Sequence, residues 1–346
     1  MIREPQVADT AETAEDAAAV REALTAIFRS LYIQSPARIA FPAVVPSDLM
    51  APPPSLSPEE RCRLTATLRN LLYSRCFSRS AAALCPPEAA KDLVKKLSAA
   101  NQGRDGWLPG WRIEEVGREG DLVVSRGPVQ RAVRAGDYAM TLSEELPPTP
   151  GCAVTLRHRR ESLTFQAGVY YAFGDADPQP GEEGKALRIY LHAAQESAVP
   201  VFAVLTAALN SQGVPFTLKS MLRPDEGDRC DATLLYLPAG RFPVFASLME
   251  RFSQSLRSYL APGAPLFTKP LAVGMGLAES PETGESFGMH RCRLLAEGIV
   301  AAWNEGRQDA AARWRSVGRR FAADGLSLAR PYLNAGSRDV YGWERP

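Results

Sequence analysis

The sequence predicts an α+β fold: a helical N-terminal part, then a mixed or mostly antiparallel sheet covered by helices. Three observations predict it. Apolar residues recur at helical spacing through the first hundred positions. The period changes to two after about residue 101. From about residue 185, strand-like and helix-like segments follow one another.

Each element has its own signal. From Ala17 onward, Val20, Leu24, Ile27, Phe28, Leu31 and Tyr32 form one apolar stripe. A proline-rich break follows, Pro42 to Pro58, including Pro52, Pro53 and Pro54. Ser57-Pro58-Glu59-Glu60 then starts a helix. Ser57 can cap it, Pro58 fits the first turn, and Glu60 closes a capping box. Leu64, Leu68, Leu71 and Leu72 are its buried face. Pro86-Pro87-Glu88 opens a third helix with Leu93 and Leu97 inward. Asn101 to Gly110 reads as a polar loop. The segments 113–116, 122–125, 129–133, 154–157 and 169–173 read as short strands, and Asp175 to Gly184 as an exposed loop.

The second half alternates strand and helix. In 187–192, Leu187, Ile189 and Leu191 face one way, and Arg188, Tyr190 and His192 the other. The spacing predicts a helix over 200–210, strands over 215–221 and 232–237, and an amphipathic helix over 243–260. Further helices are expected from Ser286 to about Glu305 and over 308–324. Three regions follow: 1–100 helical, 101–184 small and β-rich, 185–346 α+β.

Composition narrows the function. The 346 residues carry 40 Lys+Arg against 39 Asp+Glu, so there is no basic excess for general nucleic-acid binding. No apolar run is long enough for a transmembrane helix, and Met1 to Thr10 lacks the apolar core of a secretory signal. A cytoplasmic protein, with neither nucleic acid nor membrane as partner, is the expectation. The six cysteines form no CxxC pair and the three histidines are dispersed, so reduced thiols and no metal centre are expected.

Three places could carry chemistry. Arg188, Tyr190 and His192 give one strand a cationic, hydrogen-bonding face; on spacing alone, the solvent side of a sheet is the first reading and anion binding the second. Lys219 lies in an otherwise apolar strand, Phe216-Thr217-Leu218-Lys219, near Arg229, Asp231 and Tyr236. Such a lysine needs an anionic partner, a bound anion or a lowered pKa; pairing with Asp231 and service as a general base are both open. The third stretch runs from Thr268-Lys269-Pro270 through the Gly-rich Gly274 and Gly276 to Ser286, His290, Arg291 and Arg293. Cations at a helix start oppose its dipole, and an anionic ligand would explain them.

These residues also carry a resemblance. The chain resembles the HopA-type domain, named for a plant-pathogen type III effector, with related domains in clusters that make class V lanthipeptides and thioamitides. The matching stretches include Leu72-Tyr73-Ser74-Arg75, Pro109-Gly110-Trp111, Gly136-Asp137-Tyr138, Gly168 to Gly174, Arg188-Ile189-Tyr190, Arg229-Cys230-Asp231-Ala232 and Leu235-Tyr236-Leu237. The longest is Phe267 to Glu297. The resemblance implies a phosphoserine/phosphothreonine lyase. A separate kinase phosphorylates a precursor peptide, and the lyase removes phosphate to leave dehydroalanine or dehydrobutyrine.

A fainter similarity to type III phosphothreonine lyases orders Arg188 and Tyr190, then Lys219, then Arg229 and Tyr236, with Tyr190 where that family has its acid histidine. The expected roles are Lys219 as base, Tyr190 or His290 as acid, and Arg188, Arg229 and Arg291 as phosphate clamp. Lys269, Tyr236 and Ser286 are expected to support substrate binding, with no metal or other cofactor. The competing class is an effector-type or scaffold module that binds a phosphopeptide or protein partner, or activates a kinase, without chemistry.

Overall fold

The structure, a computed structural model, describes residues 8–41, 56–79, 87–140, 147–178, 182, 185–193, 195–222 and 229–342. Most of the proline-rich break (42–55), Pro86 and part of the 175–184 loop lie outside the described residues.

Helix α1 (Ala8–Ser30) buries Val20, Leu24, Ile27 and Phe28. It is followed by a small antiparallel pair, β1 (Tyr32–Ser35) and β2 (Arg38–Ala40), which the sequence did not signal. Helix α2 (Pro58–Leu72) starts with the expected capping box: the Glu60 N–H donates to Ser57 Oγ at 3.2 Å, and the Ser57 N–H donates to the Glu60 carboxylate at 2.9 Å. It runs directly into a π-helical turn, Tyr73–Phe77, a geometry that re-aims side chains and recurs at functional sites. Helix α3 is Pro87–Ala100.

Strands β3 (Gly106–Val116), β4 (Leu122–Arg126), β5 (Val129–Val133), β6 (Tyr138–Met140) and β7 (Ala153–His158) make a five-stranded sheet in the order β5-β4-β3-β7-β6. Trp111, Ile113, Leu122, Val124, Val154 and Leu156 form a small core of its own.

Strands β8 (Glu161–Ser162) and β9 (Val169–Phe173) pair elsewhere. With β10 (Ala186–Leu191), β11 (Thr217–Met221), β12 (Thr233–Pro238), β13 (Lys269–Ala272) and β14 (Met275–Glu279) they build a seven-stranded sheet, β13-β14-β10-β12-β11-β9-β8. Every pairing in it among the described residues is antiparallel. The stretch read as a Gly-rich loop is the β13–β14 hairpin. Gly274 sits at its turn with φ +70°, and Gly276 lies inside β14, where a Cβ would stand 2.9 Å from Thr268 Cβ.

Helices α4 (Ala198–Ser211), α5 (Phe242–Arg257), α6 (Phe287–Asn304) and α7 (Ala310–Ala323) complete the fold. Leu187, Ile189 and Leu191 share a sheet face with Leu218, Leu235 and Leu277, all fully buried. Helix α4 packs on that face, its Phe202 ring 5.6 Å from Tyr170. One core joins Leu64, Leu68 and Phe77 of the N-terminal helices to residues as distant as Tyr341. The opposite face of the seven-stranded sheet carries the polar residues. No helix of the described residues is long and apolar enough to cross a membrane.

Candidate functional site

Register determines which side chains meet. Directly paired residues in an antiparallel sheet share a face, and so do residues two apart on one strand. Arg188 pairs with Tyr236, which pairs with Thr217, which pairs with Phe173. One step along, Tyr190 pairs with Leu234, which pairs with Lys219, which pairs with Tyr171. Four strands thus bring Arg188, Tyr190, Lys219, Tyr236 and Tyr171 onto one face.

Lys219 Nζ lies 5.6 Å from the Tyr236 ring centre and 5.9 Å from that of Tyr171. The Arg188 guanidinium lies 5.3 Å from the Tyr236 ring centre, and its Nε donates to Ser280 Oγ at 3.0 Å. Among the described residues, no carboxylate pairs with either cation. Aromatic faces attract such side chains without supplying hydrogen-bond acceptors, so the Lys219 amine and the Arg188 guanidinium remain available to a bound anion.

Tyr190 is buried at the covered end of the face. Phe77 from the π-helical turn packs edge-on at 5.9 Å and Phe287 from α6 at 6.3 Å. Burial raises the Tyr190 pKa well above the ordinary phenol value, with Arg188 pulling the other way. Its hydroxyl is therefore protonated at neutral pH.

Arg229 and Asp231 form a buried pair beside this face. Arg229 Nε donates to Asp231 Oδ1 at 2.9 Å and Nη2 to Oδ2 at 3.0 Å. Tyr73 donates to Oδ2 at 2.9 Å and accepts from Arg229 Nη2 at 3.2 Å. Asp231 is thus the partner of Arg229, not of Lys219, and one edge of the Arg229 fork is spent on it. Burial, and next the Asp231 charge, raise the Tyr73 pKa above its usual range.

The third stretch is built for other contacts. Lys269 shares the register of Leu277, on the opposite face, and is buried against Asp339 at 2.9 Å and the Tyr332 ring. Burial opposes the charge on Asp339, but hydrogen bonds from Tyr332 and Lys269 outweigh it and hold the carboxyl below its usual range. Arg291 is fully buried. Its Nε donates to Pro331 O at 2.7 Å and Nη2 to Leu333 O at 2.9 Å. Burial brings its pKa down to about 10, so it remains charged at neutral pH. His290 receives Arg291 Nη1 on Nδ1 at 2.6 Å, and burial, then the Arg291 and Arg293 charges, push its pKa down to about 4. Ser286 caps α6, its Oγ accepting the Met289 N–H. The cations read as an anion site at this helix start therefore have protein acceptors, and they fasten the C-terminal segment to α6 and β13.

Sequence reasoning assigned no role to Tyr73, Tyr171 or Ser280. Tyr73 and Tyr171 lie within stretches that carried the family resemblance, but no local spacing signals that they face Asp231 and Lys219. Among the described residues, no three His, Cys, Asp or Glu side chains converge as a metal-ligand set.

Comparison with known proteins gives two results. The model of the HopA1 effector protein family matches residues 161–333, which span the seven-stranded sheet and α6. Two solved structures are similar to the chain: the effector protein from Pseudomonas syringae pv. tomato strain DC3000 and that from Pseudomonas syringae pv. syringae strain 61. The first is 13% identical, with 93% of this chain and 99% of that chain covered at a TM-score of 0.49. The second is 13% identical, with 80% and 90% covered at a TM-score of 0.43. No curated protein matches. The family match takes in Arg188, Tyr190, Lys219, Arg229 and Tyr236, and with half of the sequence inside it the chain belongs to the HopA1 effector family.

Proposed function

We propose that the chain is a phosphoserine/phosphothreonine lyase that acts on a peptide phosphorylated by a separate kinase, as in the maturation of lanthipeptide-like precursors. The observation that carries this reading is that Lys219 and Arg188 both lie against the Tyr236 ring on one sheet face, with no carboxylate on either among the described residues. A phosphate dianion is the ligand that the Arg188 guanidinium would take up, setting the phosphorylated residue beside Lys219 Nζ.

In the reaction, the Lys219 amine acts as the base, its Nζ lone pair taking the Cα proton of the phosphorylated residue. That electron pair forms the Cα=Cβ bond, the Cβ–O bond breaks, and phosphate leaves with the bonding pair. Arg188 carries the charge gathering on the departing phosphate. Tyr190, protonated and on the same face, supplies a hydrogen bond or proton to the leaving oxygen. Its raised pKa suits a donor that must not ionise before substrate arrives. Arg229 and Tyr73 act through Asp231, positioning the wall behind Tyr190. His290, Arg291, Lys269 and Ser286 have no step here. The products are phosphate and a dehydroalanine or dehydrobutyrine residue, and no cofactor enters the balance.

The test is mass spectrometry of a phosphothreonine peptide incubated with the purified chain in the presence of a chelator. The expected result is loss of phosphoric acid and a new thiol-reactive alkene. Lys219→Met should slow elimination by about 10²–10⁴-fold, while phosphopeptide affinity falls only several-fold. Wild-type rates in Lys219→Met would remove the base assignment. A phosphopeptide left intact, even with the full precursor and kinase present, would leave a phosphopeptide-binding module instead.

A further inference from the structure

A cleft of about 750 Å³ opens between the two sheets. Leu108, Val133 and Leu156 of the five-stranded sheet line one wall; Phe173, Thr217 and Tyr236 of the seven-stranded sheet line the other. Its size is that of sites that enclose an extended ligand of several groups. Thr217 and Tyr236 belong to the face that carries Lys219, and the Tyr236 ring is itself 5.6 Å from Lys219 Nζ. Phe173 also stacks on Tyr171 at 6.2 Å, and Tyr171 is the other ring beside Lys219. The cleft therefore runs into the candidate site at two points.

Its walls are mostly apolar, and the polar lining includes Arg157, exposed and without an ion pair among the described residues, and His158, whose Nε2 is buried with no hydrogen-bond partner among them. The four carboxylates in the lining all have protein partners. Asp137 is held by Arg159 at 2.9 Å, Asp177 by Arg126 and Arg131, Glu182 by Arg241 at 2.5 Å, and Glu161 accepts from Tyr170 at 2.7 Å. A basic flank would find these carboxylates already satisfied. At the mouth stands Phe165, 74% exposed, in edge contact with Tyr171 at 5.1 Å and Phe173 at 6.4 Å. An exposed ring continuous with an apolar cleft is surface waiting to be covered.

We infer that this cleft holds the peptide segment flanking the phosphorylated residue, and that it selects an apolar or aromatic side chain there. The inference rests on the lyase reading for the identity of the phosphorylated residue. It explains why the fold carries a second sheet beside Lys219: a free phosphomonoester would leave the cleft empty, whereas a peptide fills it.

The experiment uses synthetic phosphothreonine peptides with Phe, Leu, Gly or Lys placed in turn at each of the neighbouring positions. Turnover is read by mass spectrometry and affinity by fluorescence anisotropy, for the wild type, Phe165→Ala and Ala176→Trp. Phe and Leu should exceed Gly and Lys by about tenfold in kcat/KM on one side of the phosphorylated residue, mainly through KM. The preference should shrink several-fold in Phe165→Ala. Ala176→Trp, which fills the cleft, should abolish it. Turnover that is equal across flanks overturns the cleft inference and leaves the lyase reading standing. Flank-dependent affinity with no turnover keeps the cleft and overturns the lyase. Neither turnover nor flank-dependent affinity overturns both.

Discussion

His290 is one of three histidines in the chain, and its surroundings keep it from holding a proton at neutral pH. Arg291 donates to its Nδ1, and burial with the Arg291 and Arg293 charges places its pKa at about 4. An unfolded histidine titrates near 6.5. Between these values the unfolded chain binds more protons than the folded one, so stability falls as pH falls. The contribution is complete above about pH 6.5 and gone below about 4, and it amounts to about 3 kcal/mol. Glu285 and Asp324, held low by hydrogen bonds from Arg293 and Arg320, lose stability in the same direction but at lower pH. The urea midpoint should therefore drop between pH 7 and 5 in the wild type. His290→Asn keeps an acceptor for Arg291 without the titration and should flatten that drop. An equally steep drop in the variant would assign the pH dependence to other groups.

At the scale of elements, the contact between α6 and the π-helical turn carries the covered end of the candidate site. Gly288 lies under the Phe77 ring, where a Cβ would stand 2.7 Å from Phe77 Cδ1. Gly288→Ala must push back the turn that also holds Tyr73. The expected cost is about 1–3 kcal/mol of overpacking, measured by chemical denaturation, together with weakened Tyr73–Asp231 contact. An unchanged midpoint would mean that the turn yields freely. The sequence made some of this readable. Strict alternation over 187–191 placed Arg188 and Tyr190 on one face, and the Ser57 and Glu60 pair marked the start of α2. What it could not supply was register across strands. Lys219 meets Tyr236 and Tyr171 only because β11 lies between β12 and β9, a pairing that no local spacing encodes. The cations near α6 misled for the same reason. The acceptors of Arg291 lie about 40 residues later, and Asp339, the partner of Lys269, lies 70 residues later.

At the scale of the whole molecule, the N-terminal helices are part of the body that carries the site. Leu64, Leu68 and Leu72 have no exposed surface and pack with Phe77 into the main core. Arg313 of α7, almost fully buried, donates from Nη1 to Phe28 O and Leu31 O, both at 2.6 Å, and Trp303 Nε1 donates to Ile33 O at 3.1 Å. A fragment beginning at residue 101 would expose the floor on which those leucines sit, at about 1.5–3 kcal/mol for each large side chain. It would also take two acceptors, Phe28 O and Leu31 O, from the Arg313 guanidinium and leave it Gln308 Oε1, a further cost of about 1–3 kcal/mol. Together these losses match or exceed the whole stability of an ordinary domain. The fragment 101–346 should therefore lack near-UV circular dichroism and a cooperative melt, and should bind ANS. The five-stranded sheet has a separate small core around Trp111, so amide protection that survives in the fragment should concentrate in residues 106–158. A sharp, cooperative melt of the fragment would instead make the first hundred residues an appended domain. Tyr73 would then reach Asp231 across a domain boundary, and adding the N-terminal piece back in trans should restore that contact.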